Sequence, residues 1–221
     1  MANAESFPRG LLITAIVLPL IWSGIIDVFD ASSFLGRTTR DLFDHIALLD
    51  QWSISISEWN FPTGGRLVPP DIFGMLLAQP WLGLGRGVAW DLSLCSQMTL
   101  NLLAGGALGH RFDNAWAGAA AIGFSPFLLE QVLSGEAETI SVWPLVLMCW
   151  LLIDGRWKWA GVFGAITALG SWYYGAYAAI VATIMCVVKW RNFTSVVQMP
   201  LMMLVLLIAP ALFYANELSS S

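Results

Sequence analysis

Charge is scarce in this sequence. Asp, Glu, Lys and Arg make up 11% of its 221 residues, against about 25% in a soluble domain. That scarcity excludes an ordinary water-soluble globule. Basic residues are fewer than acidic ones, 10 against 15, and the net charge is −5. A nucleic-acid partner calls for a basic face, so that class is excluded as well. Cysteine is nearly absent. Cys95, Cys149 and Cys186 all fall inside apolar runs, where they read as small core residues, not as a disulfide framework or a metal site. The sequence shows no internal repeat, no low-complexity segment and no second domain, so residues 1–221 are read as a single membrane domain.

Apolar length fills the space that charge leaves. Hydrophobic residues reach 57% and mean hydropathy is +0.71. The expected fold is an all-α, polytopic integral membrane protein with about seven transmembrane helices. The spans are placed near residues 10–28, 88–110, 115–129, 140–153, 159–171, 174–188 and 193–214. The first follows the single basic residue Arg9 and is long for a signal core. No small-residue cleavage site follows it, so it reads as an uncleaved span. The run 159–188 holds 30 residues without a charge. As one helix it would extend ~45 Å, well beyond a ~30 Å hydrocarbon core. A break at 170–175 (Gly-Ser-Trp-Tyr-Tyr-Gly) makes two helices of it. The short Ala- and Gly-rich span 115–129 suits close packing against a neighbouring helix.

Basic residues sort the turns. Arg9, Arg111, Arg156, Lys158, Lys189 and Arg191 recur at every second turn. The positive-inside rule places these turns in the cytoplasm. The N-terminus is then cytoplasmic and the C-terminus external. The polar loop 30–87, the acidic loop 130–139 and the aromatic break 172–174 all fall on the opposite, outer side.

That outer polar loop carries the densest chemistry. Asp41, Asp44 and His45 share one side of a helical stretch over 41–52, and Phe43, Ile46, Leu49 and Trp52 line an adjacent apolar stripe. The stretch is expected to lie along the membrane surface. A carboxylate there can act as general base, and a second can steer substrate or take a divalent cation. The same spacing also describes the solvated face of an interfacial helix. Phe61-Pro62-Thr63-Gly64-Gly65 reads as a turn, Pro69-Pro70 as a second breaker, and 71–84 as an interfacial or re-entrant segment. Arg66 suits a lipid phosphate or a headgroup. Trp172, Tyr173 and Tyr174 suit either a sugar ring or interface anchoring. Glu136 and Glu138 add carboxylates to the second outer loop, or simply make it polar.

The ordered set RDLFDHIALLDQW, FPTGG, VPPD, GHRFDN, FSPFLLE, LSGEAETISVWPLVLM and ALGSWYYGAYAA, spanning residues 40–179, resembles GT-C-like membrane glycosyltransferases, in particular the YfhO-type branch of bacterial membrane proteins. The resemblance implies a seven-span core with an outer-face site and a polyprenyl-phosphate sugar as donor. By position, Asp41 is the implied base and Asp44 its neighbour. Glu136 or Glu138 is the implied second carboxylate, an outer-loop Arg, here Arg66, the implied phosphate contact, and a bacterial inner membrane the implied location; His45, Trp172, Tyr173 and Tyr174 join them as candidate substrate contacts from their place in the outer segments. No cofactor is implied; a divalent metal is the one addition the carboxylates would accept. Arg40 stands before Asp41 where the family pattern has Gly. Relatives carry further spans beyond this core module, so the resemblance leaves a second expectation open. That alternative is a non-catalytic structural or assembly subunit of a larger membrane complex, whose partners are lipids and other membrane subunits.

Overall fold

The computed structural model describes residues 7–22, 60–61, 65–66, 72–134, 137–189 and 192–220. The interfacial helix expected over 41–52 lies outside them. The described chain is all-α apart from one two-stranded hairpin. In it, β1 (Asn60–Phe61) pairs antiparallel with β2 (Gly65–Arg66), Phe61 opposite Gly65. Pro62, Thr63 and Gly64, where the sequence predicts a turn, lie outside the described residues.

One helix sets the frame. α3 (Arg86–His110) has 25 residues and so runs ~37 Å. It is buried on nearly every side from Gly87 to Gly109, because α1 (Arg9–Trp22), α2 (Ile72–Ala78), α4 (Ala115–Gly123) and α7 (Trp143–Ile153) all pack on it. α1 runs antiparallel to it. Phe7 meets His110 edge to face, and Thr99 Oγ1 donates to Ala15 O at 2.9 Å.

α3 and α4 approach through glycine. A Cβ on Gly105 would lie 2.5 Å from Gly118 O, and one on Gly109 would lie 2.8 Å from Gly118 Cα. The small residues let two backbones touch, as the Ala/Gly composition of this span requires. Asn114 caps α4 by accepting from Ala117 N at 2.9 Å. Gly118→Val forces the pair apart. The expected loss is about 1–3 kcal/mol, read as a lower thermal midpoint of the purified chain.

Three breaks shorten the remaining helices. α4 ends at Phe124, and α5 (Pro126–Ser134) restarts with Ser125 Oγ accepting from Leu128 N at 3.2 Å. α6 (Ala137–Ile140) and α7 are parted by Ser141 and Val142. α8 (Trp157–Gly170) and α9 (Trp172–Val188) are parted by Ser171. α10 (Phe193–Val196) then leads into α11 (Gln198–Ser220), which runs parallel to α8, with Gly161 against Met199 and Gly164 against Met203.

The expected span 115–129 is therefore two helices, and the expected span 140–153 begins as a helix only at Trp143. In both places a proline in the first turn, Pro126 or Pro144, has no N–H to give and starts a new helix. Among the described residues one run, Ala115–Ser134, is long and apolar enough to cross a membrane by length and composition. Arg9–Trp22, Phe73–Leu84, Trp143–Ile153, Trp172–Val188 and Thr194–Ile208 are apolar but shorter, at 10–17 residues.

The turns gather at two ends. At one, Phe7 meets His110, and Arg111 on the α3–α4 turn pairs with Asp154 on the α7–α8 turn. At the other, Met75 and Ala78 of α2 join Ala89, Trp90, Val132 and Ile140 in one apolar cluster. Phe73 of α2 also abuts Gly170 there. The helices alternate between these ends in the order in which the basic turns recur along the sequence.

Candidate site at the α2–α6–α9 end

The second outer loop and the aromatic break meet in space. Tyr174, 8% exposed, donates from its hydroxyl to Thr139 O at 2.5 Å. Thr139 Oγ1 in turn donates to Gln131 Oε1 at 2.6 Å. These bonds tie the first turn of α9 to α6 and to the end of α5. Glu138 lies in α6, one residue before the tied Thr139. Trp172 and Tyr173 stand outside this knot, 71% and 45% exposed. Their ring centroids are 4.0 Å apart at 30°. That pair offers an open aromatic surface of the kind that stacks on an apolar ring face.

The sequence-derived candidates divide accordingly. Asp41, Asp44, His45 and Glu136 lie outside the described residues. Arg66 is described as a strand residue of β2, opposite Asn60. Trp172 and Tyr173 are open to a ligand. Tyr174 is turned inward, and its hydroxyl is committed to a backbone carbonyl. Among the described residues no group of three His, Cys, Asp or Glu is placed to hold a metal.

Sequence reading underestimated the polarity of α3. Ser93, Gln97 and Asn101 are all fully buried, and Asp91 is 1% exposed. Asn101 Nδ2 donates to Ile140 O at 2.7 Å, and its Oδ1 accepts from Trp143 N at 2.8 Å. Ser141 Oγ donates to Gln97 Oε1. The non-helical Ser141–Val142 link thus sits against the middle of α3, where Asn101 takes up the Trp143 N–H that the break frees and Gln97 accepts from the Ser141 hydroxyl. The spacing of Ser93, Gln97 and Asn101 at i, i+4 and i+8 was the available signal.

An apolar hollow lies elsewhere, between α1, α2 and α3. It measures about 480 Å³ and is lined by Ile16, Leu20, Leu77, Trp81, Leu92 and Cys95. Its bordering hydroxyls are spent: Ser96 donates to Leu92 O and Thr99 to Ala15 O. Comparison with protein-family models, curated proteins and solved structures finds no match for this chain.

Proposed function

We propose that this chain is the core of a polytopic, GT-C-like membrane glycosyltransferase that transfers a sugar from a polyprenyl-phosphate donor at the outer face. The observation that carries the reading is the knot at the α2–α6–α9 end. The segment holding Glu138 and the exposed Trp172–Tyr173 pair are tied together by Tyr174 and Thr139. Trp22 at the end of α1 packs on the cluster that holds Met75 and Trp90, and Phe73 at the start of α2 abuts Gly170, two residues before Trp172, so both flanks of the polar loop belong to this end of the molecule.

In this reading Asp41 accepts the proton of an acceptor hydroxyl. The freed oxygen attacks the anomeric carbon from the face opposite the leaving group. The C–O bond to the lipid phosphate breaks, its electron pair leaves with the phosphate, and configuration inverts. Asp44 and His45 orient the acceptor. Arg66 steadies the departing phosphate, and Trp172 and Tyr173 hold the sugar ring. Broken helices suit a membrane here, because at the Ser125 and Ser141–Val142 breaks side chains from within the protein take up freed backbone N–H groups.

A second reading has its own observation. Aliphatic side chains stand exposed along α1 (Leu12, Ile13, Ile16, Ile21) and α11 (Leu201, Leu204, Val205, Ile208). Hydrocarbon covers such faces, and so do helices of another subunit in an assembly role. The deciding experiment is a transfer assay with the purified chain in proteoliposomes, supplied with polyprenyl-phosphate sugars extracted from its native membrane. Release of polyprenyl phosphate with transfer to an acceptor supports the enzyme. No release, with stoichiometric co-purification of a second membrane protein, supports the subunit.

A further inference from the structure

The N-terminus of α9 is unusual in what its cap leaves undone. Ser171 occupies the N-cap position with extended backbone, φ −155° and ψ 123°, and its side chain makes no capping hydrogen bond. A serine there ordinarily accepts from the second or third helical N–H. Ser171 is instead 4% exposed, and its Oγ holds no partner. The first ladder bond of α9 is Gly175 N to Ser171 O at 2.8 Å. The N–H groups of Trp172, Tyr173 and Tyr174 precede it, so the helix ladder has no acceptor for them.

A second enclosed donor lies next to this turn. Trp143 Nε1 is buried without a hydrogen-bond partner. Its ring packs edge to face on Phe73, with centroids 5.6 Å apart. The same Phe73 ring fills the space that a Cβ on Gly170 would need. Phe73 thus joins the indole to the Gly170–Ser171 junction. Leaving such donors unsatisfied in a low-dielectric interior is costly, and the positive end of a 17-residue helix adds to the field on them.

All of these groups donate, so the missing partner is rich in acceptor oxygens and negative. We propose that the first turn of α9, with Ser171 Oγ and Trp143 Nε1, is a phosphate-binding site. It takes a phosphate ester or inorganic phosphate, with the exposed Trp172 and Tyr173 at its mouth. The inference deepens the transfer reading by assigning the donor's phosphate to backbone and neutral donors, beside the contribution of Arg66.

The test uses the full chain in a neutral maltoside detergent, with dodecyl phosphate and inorganic phosphate as probes and calorimetric titration as readout. Dodecyl phosphate should bind saturably, and Ser171→Ala should weaken it about tenfold, the size of one hydrogen bond to a charged group. Trp143→Phe should weaken it in the same direction. The thermal midpoint of Ser171→Ala without ligand should not fall, because the hydroxyl bonds nothing in the empty site. Inorganic phosphate that competes at equal strength identifies a free-anion site; failure to compete identifies a lipid phosphate. Either result keeps the site. Absence of saturable binding, or unchanged affinity in Ser171→Ala, overturns it. Loss of the phosphate site with Asp41-dependent transfer intact removes this inference alone. Phosphate binding intact with transfer indifferent to Asp41 removes the transfer mechanism alone.

Discussion

Asp41→Asn lowers sugar transfer by a factor of about 100 or more, within the usual range for removing a general base. The helical content of the chain stays unchanged. The substitution keeps the size and shape of the side chain and removes only its capacity to accept a proton. Asp44 lies three residues on, in the same polar stretch, so Asp44→Asn tests whether the neighbour can take over. In this mechanism it orients the acceptor, so its loss raises the acceptor KM more than it lowers kcat. The measurement is initial-rate transfer in proteoliposomes, with circular dichroism as the check on folding. Transfer that survives Asp41→Asn at the wild-type rate removes Asp41 from the chemistry.

Asn101→Leu costs about 1–3 kcal/mol of stability, because it leaves the Trp143 N–H buried without a partner, while Ile140 O keeps the Val142 N–H at 2.8 Å. Trp143 N has no helical acceptor, because Ser141 and Val142 interrupt the helix before it. No other residue on α3 is shown supplying both a donor and an acceptor to this break. Gln97→Leu removes the acceptor of the Ser141 hydroxyl and costs about 1–3 kcal/mol. Chemical denaturation of the two variants in the same detergent gives the comparison. Equal, small losses would mean that water reaches the Ser141–Val142 link and that the break is not a buried one.

Much of the helical plan was legible because length and charge constrain it. An uncharged run of 30 residues had to break, and it does so at Ser171, inside the Gly-Ser-Trp-Tyr-Tyr-Gly segment. The pairing of Phe61 with Gly65 was legible because Pro and Gly between two such residues favour a reversal of the chain. The breaks at Phe124-Ser125 and at Ser141-Val142 were missed, since apolar residues continue across them and only a proline just beyond marks each restart. The inward polar row on α3 was missed for a different reason. A helix surrounded on all sides shows no amphipathic face, so which residues meet a break in a neighbour depends on the partner. Within the site, proximity of the 130–139 loop to the 172–174 turn follows from alternation of the spans. That Tyr174 serves as the tie while Trp172 and Tyr173 face outward depends on helix rotation, which three adjacent aromatics do not encode.

The central claim is that the polar loop and the Tyr174–Thr139 knot face one aqueous compartment while the Arg111–Asp154 turns face the other. Single-cysteine labelling measures this directly, in a chain whose Cys95, Cys149 and Cys186 are replaced by Ala. Asp44→Cys, Trp172→Cys and Lys158→Cys are each exposed to a membrane-impermeant maleimide on right-side-out vesicles. Labelling of positions 44 and 172 at once, and of 158 only after permeabilisation, is the expected result; labelling of 44 and 172 from opposite sides of the bilayer contradicts it.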